Sequence, residues 1–290
     1  MVSIICAIPM NQTHDNSPIT GLWRLGVLKR LPQGTIDDAN QVFWLQTQHL
    51  FGDIRVPFVR DLPSPCTGFG DFSDQQLIDL ARQKGFGGHT VYDGKTCHWH
   101  REIDFQPPTG EADHANASLA GDLLIETGFD GDFVEDWHRQ TGQEVLLVSF
   151  CLVSDSSIER RSGVLVIAGD HFIEVLDRSD PLPQGISLPE LVEADLAAGD
   201  RPRAINRLGA CVSYGRLQGN NVQWEVSLST FPWRERRSLF EGAKVTFDTG
   251  ADKLTVQQGE RTLCWRLVDR SATLVEVAAI FAGVPQNETV

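Results

Sequence analysis

Ionisable side chains gather most densely in the run Thr96-Cys97-His98-Trp99-His100-Arg101-Glu102-Ile103-Asp104-Phe105-Gln106. A period of two reads this run as one long strand. Cys97, Trp99, Arg101, Ile103 and Phe105 then share a face that is apolar but for one guanidinium. His98, His100, Glu102, Asp104 and Gln106 share the opposite, polar face. The tripeptide Trp99-His100-Arg101 recurs as Trp137-His138-Arg139. Three kinds of chemistry are open to these residues. A guanidinium on an apolar strand face is costly unless paired. Arg101 and Arg139 therefore meet an internal acid such as Asp53, Glu126 or Glu135, receive the acidic group of a ligand, or stack on a tryptophan as structural residues. His98 and His100 stand about 7 Å apart on one face, a spacing that metal sites use, with His138, Asp104 or Glu126 as a third ligand. The acids that continue this face equally read as a solvated surface, and no metal is assigned. His100 or His138 with Asp104 or Glu126 would form a general acid–base pair if a dry pocket brought them together.

The elements that must position these groups read mainly as strands. Residues 21–28 form a first strand, and 41–46 and 53–58 form a hairpin. Val42, Trp44 and Gln46 share one face of that hairpin, and Pro57 ends it. Gln46, Asp53 and Arg55 either line the same interior or sit outside as ordinary polar residues. Ser73-Asp74-Gln75-Gln76 has the spacing of a capping box and opens a helix with Leu77, Leu80 and Ala81 as its buried stripe. Gly85-Phe86-Gly87-Gly88 follows that helix and reads as its stop, not as a phosphate cradle. Ser187-Leu188-Pro189-Glu190 opens a second helix that ends near Gly199. Strand signals recur at short intervals elsewhere, and 273–281 reads as a strand or a terminal helix. About fourteen short strands with regular turn signals predict an all-β, mainly antiparallel protein of sandwich or barrel type.

The bulk properties narrow the function classes. A net charge of −14 over 290 residues argues against nucleic-acid binding and against a basic membrane patch. No apolar run is long enough to span a membrane. Residues 1–10 lack a basic flank and are not read as a signal peptide, which leaves the cytoplasm as the default location. Cys6, Cys66, Cys97, Cys151, Cys211 and Cys264 contain no Cys-x-x-Cys pair and read as reduced core residues. There is no Walker loop, no Gly-x-Ser-x-Gly elbow and no dinucleotide fingerprint, so no cofactor is expected.

The two halves repeat one plan: hairpin, capped helix, a hairpin ending in a tryptophan strand, then strands leading to another tryptophan. Ser73 and Ser187, Trp99 and Trp224, and Trp137 and Trp265 are separated by similar lengths of chain. In the second copy Val226 stands for Arg101 and Leu267 for Arg139, so only the first copy carries cations on its apolar face. The opening Gly21-Leu22-Trp23 resembles the Gly-x-Trp strand of the calycin superfamily, which includes the lipocalins. Phe43-Trp44-Leu45-Gln46-Thr47, Asp136-Trp137-His138, the run from Gly163 to Gly169, Val212-Ser213-Tyr214-Gly215 and Trp224-Glu225-Val226 resemble, in the same order, a fungal family of unknown function. That family is built from two calycin-like barrels. The resemblance implies two barrels, each with one helix in a long connection, and it transfers no active site. Nitrobindin-like calycins hold haem through a histidine near the C-terminus, and this chain has none after His171.

These readings place a ligand-binding calycin-like barrel at residues 1–145 and a filled one at 146–290. The expected function is binding of a small, partly apolar, anionic ligand in the first barrel. Arg101 and Arg139 would hold the anion, Trp44, Trp99 and Trp137 would form the wall, and Gln46 and Arg55 would lie beside them. Two rivals stand next to it. One is a cofactor-independent lyase, isomerase or cyclase using His100 or His138 with Asp104 or Glu126. The other is a protein-interaction scaffold with both barrels filled.

Overall fold

In the computed structural model, residues 15–220, 222–282 and 284 are described. Residues 1–10, with Cys6, lie outside them. Alternating apolar positions produce an antiparallel meander: β1 (Gly21–Arg30), β2 (Thr35–Asp37), β3 (Asn40–Gln46), β4 (Leu50–Pro57), β5 (Lys84–Tyr92), β6 (Thr96–Asp104), β7 (Asp113–Ala120), β8 (Leu123–Thr127) and β9 (Phe133–Arg139). β9 pairs back onto β1 and closes the sheet into a barrel, while β2 only extends one end of β1. The second sheet comprises β10 (Leu147–Asp155), β11 (Gly163–Ala168), β12 (His171–Leu176), β13 (Cys211–Gln218), β14 (Gln223–Ser229), β15 (Lys244–Asp248), β16 (Lys253–Gln258) and β17 (Arg261–Arg270). It follows the same meander, with β17 returning to β10, but β14 and β15 do not pair, and it remains a half-barrel. The cause is local. The outer edge of β14 is already taken by residues 236–239: Leu239 N donates to Trp224 O at 2.7 Å and Arg236 N to Val226 O at 2.8 Å. The gap is filled by α4 (Leu274–Ala282), whose Phe281 stacks on Trp224 at 5.2 Å and on Phe247 at 6.1 Å.

Helices occupy the same connection in both sheets. Between β4 and β5 lies α1 (Asp74–Leu80). Between β12 and β13 lie α2 (Leu188–Ala197) and α3 (Arg201–Arg207), two helices where one was expected. The capping boxes form as read: Gln76 N donates to Ser73 Oγ and Glu190 N to Ser187 Oγ. These helices pack together over Phe105 in a small core of their own. No described helix is long and apolar enough to cross a membrane. Cys66, Cys97, Cys211 and Cys264 are free thiols. Cys151 is disulfide-bonded, against the expectation of reduced cysteines throughout.

The glycine run after α1 is not a helix stop. Gly85 and Gly87 lie within β5 and, with Gly52 on β4, form a flat face against the second sheet. A Cβ on Gly52, Gly85 or Gly87 would come within 2.6, 2.8 or 2.7 Å of a methyl group of Ile173, Val212 or Val164. Leu22, Leu45, Leu50, Ile54, Val56 and Ile103 complete the barrel's side of this seam. β11 is therefore buried throughout: Val164, Val166 and Ala168 face the barrel, while Leu165 and Ile167 face the half-barrel's own core.

One polar latch crosses the seam. Asp269 of β17 accepts from Ser149 Oγ at 2.6 Å, Thr47 Oγ1 at 3.2 Å and His49 N at 3.3 Å, and it faces His49 Nδ1 at 3.4 Å. The Asp269 carboxylate raises the His49 imidazole above its ordinary value of 6.5. A raised folded value means that this contribution is complete below that value and is lost as pH climbs through the folded one. His49→Gln is therefore expected to cost about 1 kcal/mol at pH 6 and little at pH 8.5. Thermal melts of both proteins across that range check this, and equal losses at the two ends would refute it.

A candidate site in the closed barrel

The barrel interior follows from strand alternation and from where each strand begins. Trp44, Trp99 and Trp137 point inward from β3, β6 and β9. Trp44 meets the edges of the other two at 5.8 Å, with Trp23 stacked beneath at 6.0 Å. Ile19, from the short 3-10 turn Ser17–Ile19, is buried in the same cluster and helps close that end. At the other end β1 finishes at Arg30, β5 starts at Lys84, β7 at Asp113 and β9 at Phe133. Above the tryptophans a cavity of about 210 Å³ remains open.

Its wall at middle depth is acidic. Asp53, Glu126 and Glu135 are all buried. Arg55 reaches down among them. Its Nε donates to Asp53 Oδ1 at 2.9 Å and Nη2 to Asp53 Oδ2 at 3.2 Å, while Nη1 lies 3.7 Å from Glu135 Oε1. Trp137 Nε1 donates to Glu135 Oε2 at 3.1 Å. Glu126 Oε1 is buried with no hydrogen-bond partner, as is Trp44 Nε1. Burial raises all three carboxyls. Glu126 is pushed well above the carboxylate range, by burial first and by the Glu135 charge second. Burial alone would depress Arg55, but Asp53 and Glu135 more than reverse it.

The mouth is basic. Arg101 Nε donates to Asp113 Oδ2 at 2.7 Å and Nη1 to Asp104 Oδ2 at 3.2 Å, and its guanidinium lies 3.6 Å from the centre of the Phe86 ring. Lys84 is pushed below its ordinary value by burial and then by the nearby Arg55 and Arg30 charges. Arg30, Lys84 and Arg101 thus ring the opening, with Asp113 as the acid among them.

Trp44, Arg55, Trp99, Arg101, Glu126 and Trp137 all line this cavity. Other residues do not reach it. Arg139 has the right parity on β9 but lies below the tryptophans. It covers Trp23 at 4.2 Å, donates to the carbonyls of Pro18 and Thr20, and faces Asp122 at 3.2 Å. It closes the base of the barrel and is not among the residues lining the cavity. Gln46 is also structural there, donating to Thr47 O and accepting from Thr90 Oγ1, each at 2.8 Å. Asp104 is not among the lining residues and instead comes to the same side as Arg101, with which it pairs. A bulge explains this: Gly88 pairs with Arg101 and Gly87 with Ile103, so Glu102 is an extra residue. Past it the alternation reverses, and Ile103 turns outward to the seam. His100 stacks on His89 at 4.3 Å on the outer face, His98 packs on His114 at 5.5 Å, and His138 is exposed, 3.9 Å from Asp136. The histidine–carboxylate pairs with Glu126 are not assembled. Among the described residues no three His, Cys, Asp or Glu side chains gather as a metal site.

Sequence reasoning missed Arg30, Lys84, Phe86, Asp113 and Phe133 as lining residues. A signal existed for Phe133: it precedes Glu135 and Trp137 at the same parity. The half-barrel, expected to be filled, carries a recess of about 240 Å³ lined by Arg161, Glu174, Cys211, Trp233, Arg234 and Arg261 among others. Its cations are matched by internal acids: Arg234 with Glu174 at 2.9 Å, and Arg161 and Arg261 with Asp155 at 3.4 and 2.7 Å.

No protein-family model matches the chain, and no curated protein matches it. Among solved structures it is similar to the uncharacterized protein YLR301w from Saccharomyces cerevisiae, with a TM-score of 0.52 at 12% sequence identity. The match covers 87% of this chain and 98% of that one. At that identity the likeness is one of fold: a barrel joined to a second barrel-like sheet.

Proposed function

We propose that this is a cytoplasmic small-molecule-binding protein of calycin type, whose closed barrel takes a small, partly apolar ligand bearing an acidic group. The observation that carries this reading is the open cavity, floored by Trp44, Trp99 and Trp137 and ringed at its mouth by Arg30, Lys84 and Arg101. At the mouth Arg30, Lys84 and Arg101 outnumber the single acid Asp113, which favours an anion there. The indoles supply an apolar floor and an intrinsic fluorescent reporter. The enzymatic rival's His100 and Asp104 line a separate recess on the outer face, with His89, His98 and Glu102, and not this cavity.

Titration of tryptophan fluorescence with 4-methylbenzoate tests this. Saturable quenching is expected, and Arg101→Ala should weaken binding about tenfold or more through loss of a charge-assisted contact. An unchanged emission spectrum and melting temperature at millimolar probe would refute the reading.

A further inference from the structure

We infer that the ligand of this barrel carries an amine at its inner end as well as an acid at its outer end, the ammonium lodging between Glu126 and Glu135. This rests on reading the cavity as a ligand site and names the chemistry of what fills it. Glu126 and Glu135 are direct cross-strand partners and are only 5% and 7% exposed. Two carboxyls so placed do not both ionise unless a cation joins them. Arg55 serves Asp53 with two hydrogen bonds and approaches Glu135, and Trp137 Nε1 also bonds Glu135. Arg55 acts on Glu126 only from beyond ion-pair distance, and Glu126 Oε1 has no hydrogen-bond partner.

The chain itself shows that the fold does not need this pair. On β8 and β9 Leu124 pairs with Trp137, and Glu126 pairs with Glu135. At the same register on β16 and β17 Leu254 pairs with Trp265, and Val256 pairs with Leu263. The half-barrel therefore has an apolar pair where the barrel has two acids. A buried acid with no ion-pair partner on a cavity wall, replaced by Val256 in the copy of the plan, points to a guest. The sign of charge also changes with depth: acids lie at the level of Glu126 and Glu135, cations at the mouth. An amine and a carboxylate at opposite ends of one small aromatic ring fit this order. On entry the ammonium replaces the proton held on Glu126, which leaves to solvent, and both carboxylates then face one cation.

The probes are 4-(aminomethyl)benzoate, 4-methylbenzoate without the amine, and benzylamine without the acid, titrated calorimetrically near pH 7. The amino acid should bind about thirtyfold tighter than either relative. Repeating the titration in phosphate and Tris should show release of about one proton. Glu126→Gln should bring 4-(aminomethyl)benzoate to within about threefold of 4-methylbenzoate, both titrated against the same variant. Glu135→Gln serves the same purpose should the first variant not fold. If 4-methylbenzoate binds as tightly as the amino acid, the inner amine is refuted and the anion-binding barrel stands. If benzylamine matches the amino acid, the outer acid is refuted. If none of the three binds, both readings fall.

Discussion

Replacing Glu126 by valine and Glu135 by leucine together should stabilise the protein by about 2–4 kcal/mol at pH 7, because buried ionisable groups give way to the apolar pair that the half-barrel already uses. The effect should depend on pH in a defined direction. Both carboxyls are raised in the folded state, Glu126 well above its ordinary value of 4.5. Below that value they are protonated whether folded or not, and they cost no ionisation. As pH rises past it the unfolded chain releases protons that the folded chain retains, and stability falls until the folded values are passed. Asp53, Asp104 and Asp177 are raised by burial as well and add to the same slope. Asp93 and Asp155, lowered to about 2, act in the opposite sense, but only in more acidic solution. Urea denaturation at pH 5, 6 and 7 should show the wild type losing stability upward while the double variant changes much less. Parallel slopes would show that the acid pair is not the source. The same variant should lose preference for any amine-bearing probe.

A valine at Gly87 is expected to have a comparable effect of opposite sign. Its Cβ would sit 2.7 Å from Val164 Cγ2, 3.1 Å from Val175 Cγ2 and 3.2 Å from the Phe51 carbonyl oxygen. The Phe51 oxygen is backbone, and the two valines are held on strands buried on both faces, so the seam must part to admit the side chain. Overpacking of this kind costs about 3 kcal/mol. Gly70, whose Cβ would meet nothing within 4 Å, is the control: Gly70→Ala should stay within about 0.5 kcal/mol of wild type. Chemical denaturation of both variants measures the difference, and near-equality would mean that the two sheets are not in contact along β5.

How far these features can be read in the sequence depends on which local rule governs each segment. Alternation placed Trp99 and Arg101 on one shared face, because β6 is regular up to Arg101, but the strand alone does not say that this face is the inner one. Alternation misplaced Ile103 and Asp104, because an added residue at Glu102 leaves no mark in hydrophobicity. The capping boxes at Ser73 and Ser187 were legible because their hydrogen bonds join residues three apart. Gly85 and Gly87 were misread because glycine signals a chain stop and a close approach with the same letter. Only the facing sheet, far away in sequence, decides between them. Arg139 shows a third limit: parity gives the face but not the depth, and two residues beyond Trp137 the interior is already closed. Glu126 and Glu135 lie on separate strands, and it is the turn between Thr127 and Phe133 that sets them opposite each other. The failure of β14 to meet β15 was not legible, because it depends on an irregular segment folding back onto an edge.

The position of β11 has one more consequence. A strand whose two sides belong to two different cores cannot detach from one without abandoning the other. The N-terminal and C-terminal halves, though each has its own meander, therefore melt as partners and not as beads on a string, and damage in either is felt as lost cooperativity across the whole molecule.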